Sequence, residues 1–402
     1  MQLPKSVKTI IQILENAGFE AYAVGGCVRD TLLGRTPNDW DITTNAKPEE
    51  VKKCFSHTID TGIEHGTVTV RMDRENYEVT TFRVDGKYSD SRHPESVTFT
   101  ANLAEDLKRR DFTINAMAYS DKSGVVDLYN GREDLKNGVV RAVGVAKERF
   151  TEDALRIMRC VRFAAQLGFS IEPETFSAAK ELAPTLKNIS VERIREELVK
   201  TLMSVHPEQV SVFDEIGAFE SFYPEYRGKK TTLETAVAAV PCDKVLRLAA
   251  FLFDSGETEE ESNEIASRVI SFLKFDNATR YAVLKLVAHC RTEVTANAYA
   301  VRQFLCNYGK EDAESLLTFR ESVFHTNEDP IREEIEGILE RGECTSMKEL
   351  RVTGKDLISA GVKPGPEMGD ILAELLAAVL ENPSLNDKDV LLGRVSKKNT
   401  EN

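Results

Sequence analysis

The chain has 402 residues, enough for two or more domains, and its 41% hydrophobic and 29% charged residues are the balance of a folded globular protein. It contains no run of about 18 apolar residues that could span a membrane, and its seven cysteines, without CxxC spacing, argue against a disulfide framework and a zinc site. A formal net charge of −14 rules out a basic footprint over the whole surface, so any contact with nucleic acid has to be local.

In chain order, the N-terminus lacks the compact apolar core of a secretion signal and reads as an amphipathic helix. Val7, Ile10, Ile11 and Leu14 lie on one stripe, and Gly18 is the stop. A short strand, Ala21 to Val24, runs into Gly25 and Gly26, and a helix follows from Val28 to Leu33, ending at Gly34. Alternation from Thr67 to Arg71 and from Tyr77 to Val84 predicts two paired strands, after which DGKYSDSRHPES has the composition of a loop. From about Lys147 helical spacing takes over, and prolines at 207, 224, 241 and 330 punctuate a long helical arm. Basic residues gather locally at LKRRDF and at Arg141, Lys147, Arg149, Arg156, Arg159 and Arg162, while acidic residues concentrate later, as in SGETEEESNE. The cysteine usage and the absence of a targeting segment make a reducing cytoplasm the expected location.

The first constellation with chemical meaning is AYAVGGCVRDTLLGRTPNDWDITTNA. A strand that enters two glycines and then a helix presents backbone N–H groups to an anion, and Arg29 adds a charged fork one turn later. Beyond a short gap come Asp39 and Asp41, which on a strand would project to one face. Two carboxylates held close repel unless a cation lies between them, and an all-oxygen pair suits Mg²⁺ bridging to phosphate. A GG pair alone is usually a turn and a DxD alone a solvated strand end; their order and spacing together carry the signal.

These residues resemble the polymerase β-type nucleotidyltransferases, and within them the class II tRNA nucleotidyltransferase and bacterial poly(A) polymerase family. KRRDFTINAMA, DLYNGREDL, FTEDALRIMRCVRF and ISVERIREEL are similar to the family's further motifs, in the family's order. The resemblance implies an α+β fold: a mixed-sheet nucleotidyltransferase head over residues 1–147, then an elongated, all-helical neck (148–205), body (206–290) and tRNA-binding tail (291–402). It implies that Arg110, Asp111 and Asn115 bind nucleotide, with Arg110 and Asp111 holding ribose hydroxyls and phosphate, and that Glu78 is an active-site neighbour more than a metal ligand.

Asp153 and Arg156, at i and i+3, share a helix face. Cytosine and adenine each place an amino donor beside a ring-nitrogen acceptor, so one acceptor and one donor on the protein can read both. Guanine and uracil reverse the pattern and would leave buried groups unpaired, at a cost on the order of 1–3 kcal/mol. Arg159, one turn on, is a candidate phosphate contact. The loop from Gly86 to Pro94 looks like the flexible element of full CCA-adding and A-adding enzymes. LRVTGKDLISAGVKPGPEMGDIL is similar to the tail of bacillus-type CCA-adding enzymes, with Lys355 and Lys363 placed to meet a tRNA backbone.

The resemblance therefore implies two-metal, Mg²⁺-dependent addition of C, C and A to the 3′ end of tRNA from CTP and ATP, with no membrane and no protein partner implied. A-addition alone or poly(A) synthesis on the same fold is the nearest alternative. A small-molecule nucleotidyltransferase would not need the EDxxR element, and a non-catalytic RNA-binding protein would not need both aspartates.

Overall fold

The computed structural model describes residues 1–86, 97–226, 228 and 230–401. The chain divides into two compact units, Met1–Ala238 with Arg268–Lys274, and Ala239–Ser267 with Phe275–Asn402.

In the first unit, helix α1 (Lys5–Asn16) buries the expected stripe of Val7, Ile10, Ile11 and Leu14, and Gly18 follows at φ 90°. Strand β1 (Ala21–Val24) leads through Gly25 into α2 (Gly26–Leu32). Then come β2 (Ile42–Thr44), α3 (Pro48–Cys54), β3 (Thr58–Gly62), β4 (Thr67–Met72) and β5 (Glu75–Thr81). Asp73 and Arg74, both at positive φ, make the two-residue turn between β4 and β5, whose twist matches the strands it joins. The second strand of that pair is shorter than the alternation suggests. It stops at Thr81, and Arg83–Asp85 forms a separate strand, β6, paired with β7 (Val97–Phe99).

Helix α4 (Leu103–Lys108), a 3₁₀ turn (Thr113–Asn115), β8 (Met117–Ser120), β9 (Gly124–Asp127) and α5 (Gly131–Asn137) complete the head. Its seven-stranded sheet runs β3-β4-β5-β2-β1-β8-β9, with β2 and β5 parallel and the other pairs antiparallel. Leu107 of α4 packs on Val24 and Ala118, so the residues after α4 are fixed relative to the centre of the sheet.

The segment that follows is helical but not entirely so. Val139–Val140 (β10) pairs in parallel with Ser170–Ile171 (β11), a strand contact that the helical periodicity around it conceals. Helices α6 (Ala146–Glu152) and α7 (Leu155–Leu167) are separated by a break at Asp153 (φ −137°, ψ 103°). Helices α8 (Pro173–Leu182) and α9 (Val191–Leu202) follow, and α9 packs on α7, where Arg162 donates to Glu197 in a buried ion pair.

The second unit is helical. Asp243, Asp276 and Asn297 cap the helices Lys244–Leu252, Asn277–His289 and Ala298–Phe324, the last kinked at Gly309 (φ 73°). Leu350, Val352, Leu357, Leu376, Val379 and Leu391 form its terminal core. Among the described residues no helix is long and apolar enough to cross a membrane.

Candidate nucleotidyl-transfer site

Gly25 adopts φ 81° and ψ −131°, a conformation open essentially to glycine, and its N–H donates to the Met117 carbonyl at 3.1 Å. The N–H groups that α2 leaves unmatched in its first turn are therefore those of Gly26, Cys27 and Val28, not that of Gly25. Asp39 and Asp41 are not within a strand, as the sequence suggested, but in the extended segment just before β2. The Val24 N–H donates to the Asp41 carbonyl at 3.0 Å and so continues the β1–β2 ladder by one residue. Ladder geometry therefore holds the second aspartate even though the strand begins one residue later.

Asp41 is accessible to solvent, yet its carboxyl is pushed up to about 6. Partial burial of the carboxyl is the main cause; Asp39 and Glu78 add repulsion, and Arg110 offsets part of it. Glu78 lies on β5, and its neighbour Val79 pairs with Ile42 of β2, which brings the third acid beside the other two. Among the described residues no three His, Cys, Asp or Glu side chains are grouped closely enough to hold a metal ion by themselves. Two carboxylates with excess negative charge nevertheless fit a hard cation that takes its remaining ligands from phosphate and water.

Behind this edge lies a connected polar network. Arg29, 9% exposed, makes a fork to Asp30 (both contacts 2.9 Å) and donates Nη1 to the Asn115 Oδ1 at 2.7 Å. Asn115 donates to Asp111 Oδ1 at 3.1 Å, which also takes the Phe112 N–H at 2.8 Å. Arg159 donates Nε and Nη2 to the other Asp111 oxygen at 2.8 and 2.6 Å. Burial alone would raise the Asp111 carboxyl, but Arg159 and these hydrogen bonds outweigh it and hold it well below the usual carboxylate range. Both Asp111 oxygens and the Asn115 side chain are thus already engaged within the protein. The guanidinium groups of Arg29, Arg159 and Arg162 all lie over the Phe163 ring, 5.1, 5.3 and 4.0 Å from its centroid.

A cavity of about 250 Å³ opens beside this network. Its walls carry Arg109, Arg110, Arg156, Arg159 and Arg193 against only Asp111 and Asp153, a local excess of positive charge in an acidic chain. Asp153 and Arg156 both line it, but not as neighbours on one continuous helix. Asp153 sits in the break and accepts the N–H of Leu155, the first residue of α7, at 3.0 Å, while Arg156 lies in the first turn. Arg156 donates to the Arg149 and Arg109 carbonyls and to Glu152, at 3.0, 2.8 and 2.7 Å.

Arg193, not among the residues selected from sequence, donates Nη2 to Asp153 at 3.3 Å, and its Nη1 is buried without a hydrogen-bond partner among the described residues. It lies in ISVERIREEL, where Arg195 is an equal candidate by spacing. Arg195 instead turns to the Leu273 and Lys274 carbonyls. Arg109 was visible in KRRDF but not distinguishable from its neighbours.

The DLYNGREDL element acts as a clamp. Asp127 accepts the Gly131 and Arg132 N–H groups at 2.8 and 2.9 Å, and Asp134 accepts the Thr113 hydroxyl at 2.6 Å. A Cβ on Gly131 would stand 2.3 Å from the Thr113 carbonyl oxygen, so glycine is needed there for close approach. Lys355 and Lys363 are both exposed in the second unit. Most of the loop read from Gly86 to Pro94 lies outside the described residues.

The chain is 38% identical over 412 residues to the CCA-adding enzyme of Ligilactobacillus salivarius, covering 98% of this chain and 97% of that one. The chain belongs to the CCA-adding enzyme family. That family is one of metal-dependent nucleotidyltransferases. A second relative, the CCA-adding enzyme of Lactobacillus delbrueckii subsp. bulgaricus, is 41% identical over 390 residues, 94% of each chain. The crystal structure of the Bacillus stearothermophilus CCA-adding enzyme in complex with CTP matches with a TM-score of 0.84 and 34% identity, covering 100% of this chain and 99% of that one. Residues 21–141 match the Poly A polymerase head domain family, 168–229 the family described as "Probable RNA and SrmB- binding site of polymerase A", and 249–395 the tRNA nucleotidyltransferase domain 2 family. The mixed-sheet head followed by helices is the fold of this family.

Proposed function

We propose that this protein adds C, C and A to the 3′ end of tRNA from CTP and ATP, releasing pyrophosphate, without a nucleic-acid template. The observation that carries the reading is the juxtaposition of the Asp39–Asp41 edge with an arginine-lined cavity that also holds Asp153. The working division is the head over 1–147, the neck over 148–205, the body over 206–290 and the tail over 291–402, and the compartment is the cytoplasm.

In this reading Asp39 and Asp41 hold Mg²⁺, with Glu78 as a neighbouring acid. When bound, the metal supplies Lewis-acid chemistry, activating the attacking 3′-hydroxyl and neutralising the leaving pyrophosphate. The first-turn N–H groups after Gly25, with Gly26 free of a side chain, cradle phosphate oxygens, and Arg110 and Arg159 add charge from the cavity wall. Arg29, Asp111 and Asn115 act mainly by holding one another and Arg159 in place. Asp153 accepts the amino group shared by cytosine and adenine, and Arg156 donates to the adjacent ring nitrogen. Lys355 and Lys363 contact the tRNA backbone.

The test offers tRNA ending before CCA, after C and after CC, with CTP and ATP separately. Stepwise growth to a complete CCA end supports the reading. Extension of only the CC-ended tRNA would make it an A-adding enzyme, and a long A tail would make it a poly(A) polymerase.

A further inference from the structure

Asp106 lies outside the residues that the motifs single out, yet it is completely buried beside the site, with 0% exposure. Its carboxylate is filled from several elements. Oδ1 accepts Arg109 Nε at 3.0 Å and Nη2 at 2.8 Å, and the Arg83 N–H, at the start of β6, at 3.4 Å. Oδ2 accepts Arg110 Nη2 at 3.5 Å and shares the one Thr43 hydroxyl proton, 3.3 Å away, with the Thr80 carbonyl at 3.2 Å. Thr43 stands on β2, two residues after Asp41.

The placement has a physical consequence. Arg109 and Arg110 are adjacent cations that would repel and splay toward water if left alone. A carboxylate one turn earlier on α4 draws both inward. Burial pushes the Asp106 carboxyl up, but the two arginines outweigh it and keep it ionised. Arg110 is thereby held with Nη1 against Gly25, where a Cβ would stand 2.9 Å away, and with Nε buried and unpartnered among the described residues beside the cavity. A buried donor without an acceptor is costly, and a ligand oxygen would satisfy it.

We infer that Asp106 is a positioning residue for nucleotide transfer. It ties β2 to Arg110 and aims the Arg110 guanidinium across the Gly25 turn at the incoming triphosphate, acting through Arg110 and not by contact with substrate. The inference rests on the transfer reading above.

A double-mutant cycle in the full chain separates this role from general structural support. With CC-ended tRNA and ATP, and with tRNA lacking CCA and CTP, Asp106→Asn should lower kcat/KM for either nucleotide at least about tenfold and leave tRNA affinity unchanged. Placed on Arg110→Ala, the same change should cost no more than about twofold, because the group it positions is already gone. Additive losses, or an Asp106→Asn variant with wild-type kcat/KM, overturn the assignment. Should Asp106→Asn not fold, Thr43→Val removes the hydroxyl that this carboxylate shares with the Thr80 carbonyl while keeping the shape of the side chain. It should cost about threefold in the wild type and nothing on Arg110→Ala, and equal costs in both backgrounds overturn the assignment. Wild-type protein that transfers no nucleotide sinks the transfer reading itself, whereas active wild type with additive losses sinks only the role given to Asp106.

Discussion

The Arg110 guanidinium lies directly against Gly25, so that a Cβ on that glycine would stand 2.9 Å from Nη1. The first glycine of the GG pair is therefore constrained twice, by its backbone angles and by a cation that occupies the space of a side chain. Gly25→Ala should lower kcat/KM for CTP and ATP alike by about 30-fold, the equivalent of roughly 2 kcal/mol of strain and displaced charge. Steady-state kinetics on truncated tRNA measures this, with tRNA affinity expected to hold.

Asp41 predicts an opposition between stability and activity. Its folded-state pKa of about 6 lies above the ordinary carboxylate value, so ionisation at neutral pH opposes folding in the metal-free protein. That penalty is fully present above about pH 6 and is relieved as pH falls toward the unfolded-state value. Asp41→Asn should accordingly raise the melting temperature of the metal-free protein at pH 7.5 while abolishing nucleotide addition. The difference in melting temperature should shrink toward pH 5, and Mg²⁺ should stabilise the wild type more than the variant. A variant that melts below wild type at pH 7.5 in chelator would count against the crowded-carboxylate account.

Asp111 has the opposite sign. Its carboxyl is held below its ordinary value, so its contribution to stability is present above the unfolded-state pKa and is lost as pH falls through the folded one. Asp111→Asn should destabilise the protein by about 2–3 kcal/mol at neutral pH, somewhat less than a fully enclosed ion pair would cost, because the Arg159 side chain is 34% exposed. Thermal melts of both proteins should converge as the buffer is taken below about pH 4, where carboxylates ordinarily protonate.

Asp153 should govern base choice and not turnover in general. Asp153→Ala removes the acceptor proposed for the amino group of C and A and also frees Arg193, which donates to it at 3.3 Å. Competition between CTP and UTP, and between ATP and GTP, should show discrimination falling by about tenfold or more, in line with an unpaired buried polar group. Unchanged discrimination against UTP and GTP would refute the base-reading role.

Much of this molecule is determined by local rules that can be read from the chain. The amphipathic stripe of α1, the strand into Gly25–Gly26, the β4–β5 pair and the takeover by helices after Lys147 all follow from periodicity and turn chemistry. The candidate acids and arginines could be named because motif spacing depends only on sequence order. What tertiary structure alone decided is which of those groups face one another. Asp39 and Asp41 precede the strand they were assigned to, and Asp153 breaks the helix it was expected to share with Arg156. Asp111 and Asn115 are spent on Arg159 and Arg29, Arg193 enters from a segment whose spacing gave no hint of it, and Asp106 joins its near neighbours Arg109 and Arg110 to the start of β6. The reason is physical: propensity and periodicity act over a few residues, whereas a buried charge must find a partner wherever packing brings one, as Asp153 does with Arg193, Asp111 with Arg159 and Arg29 with Asn115, 40, 48 and 86 positions apart.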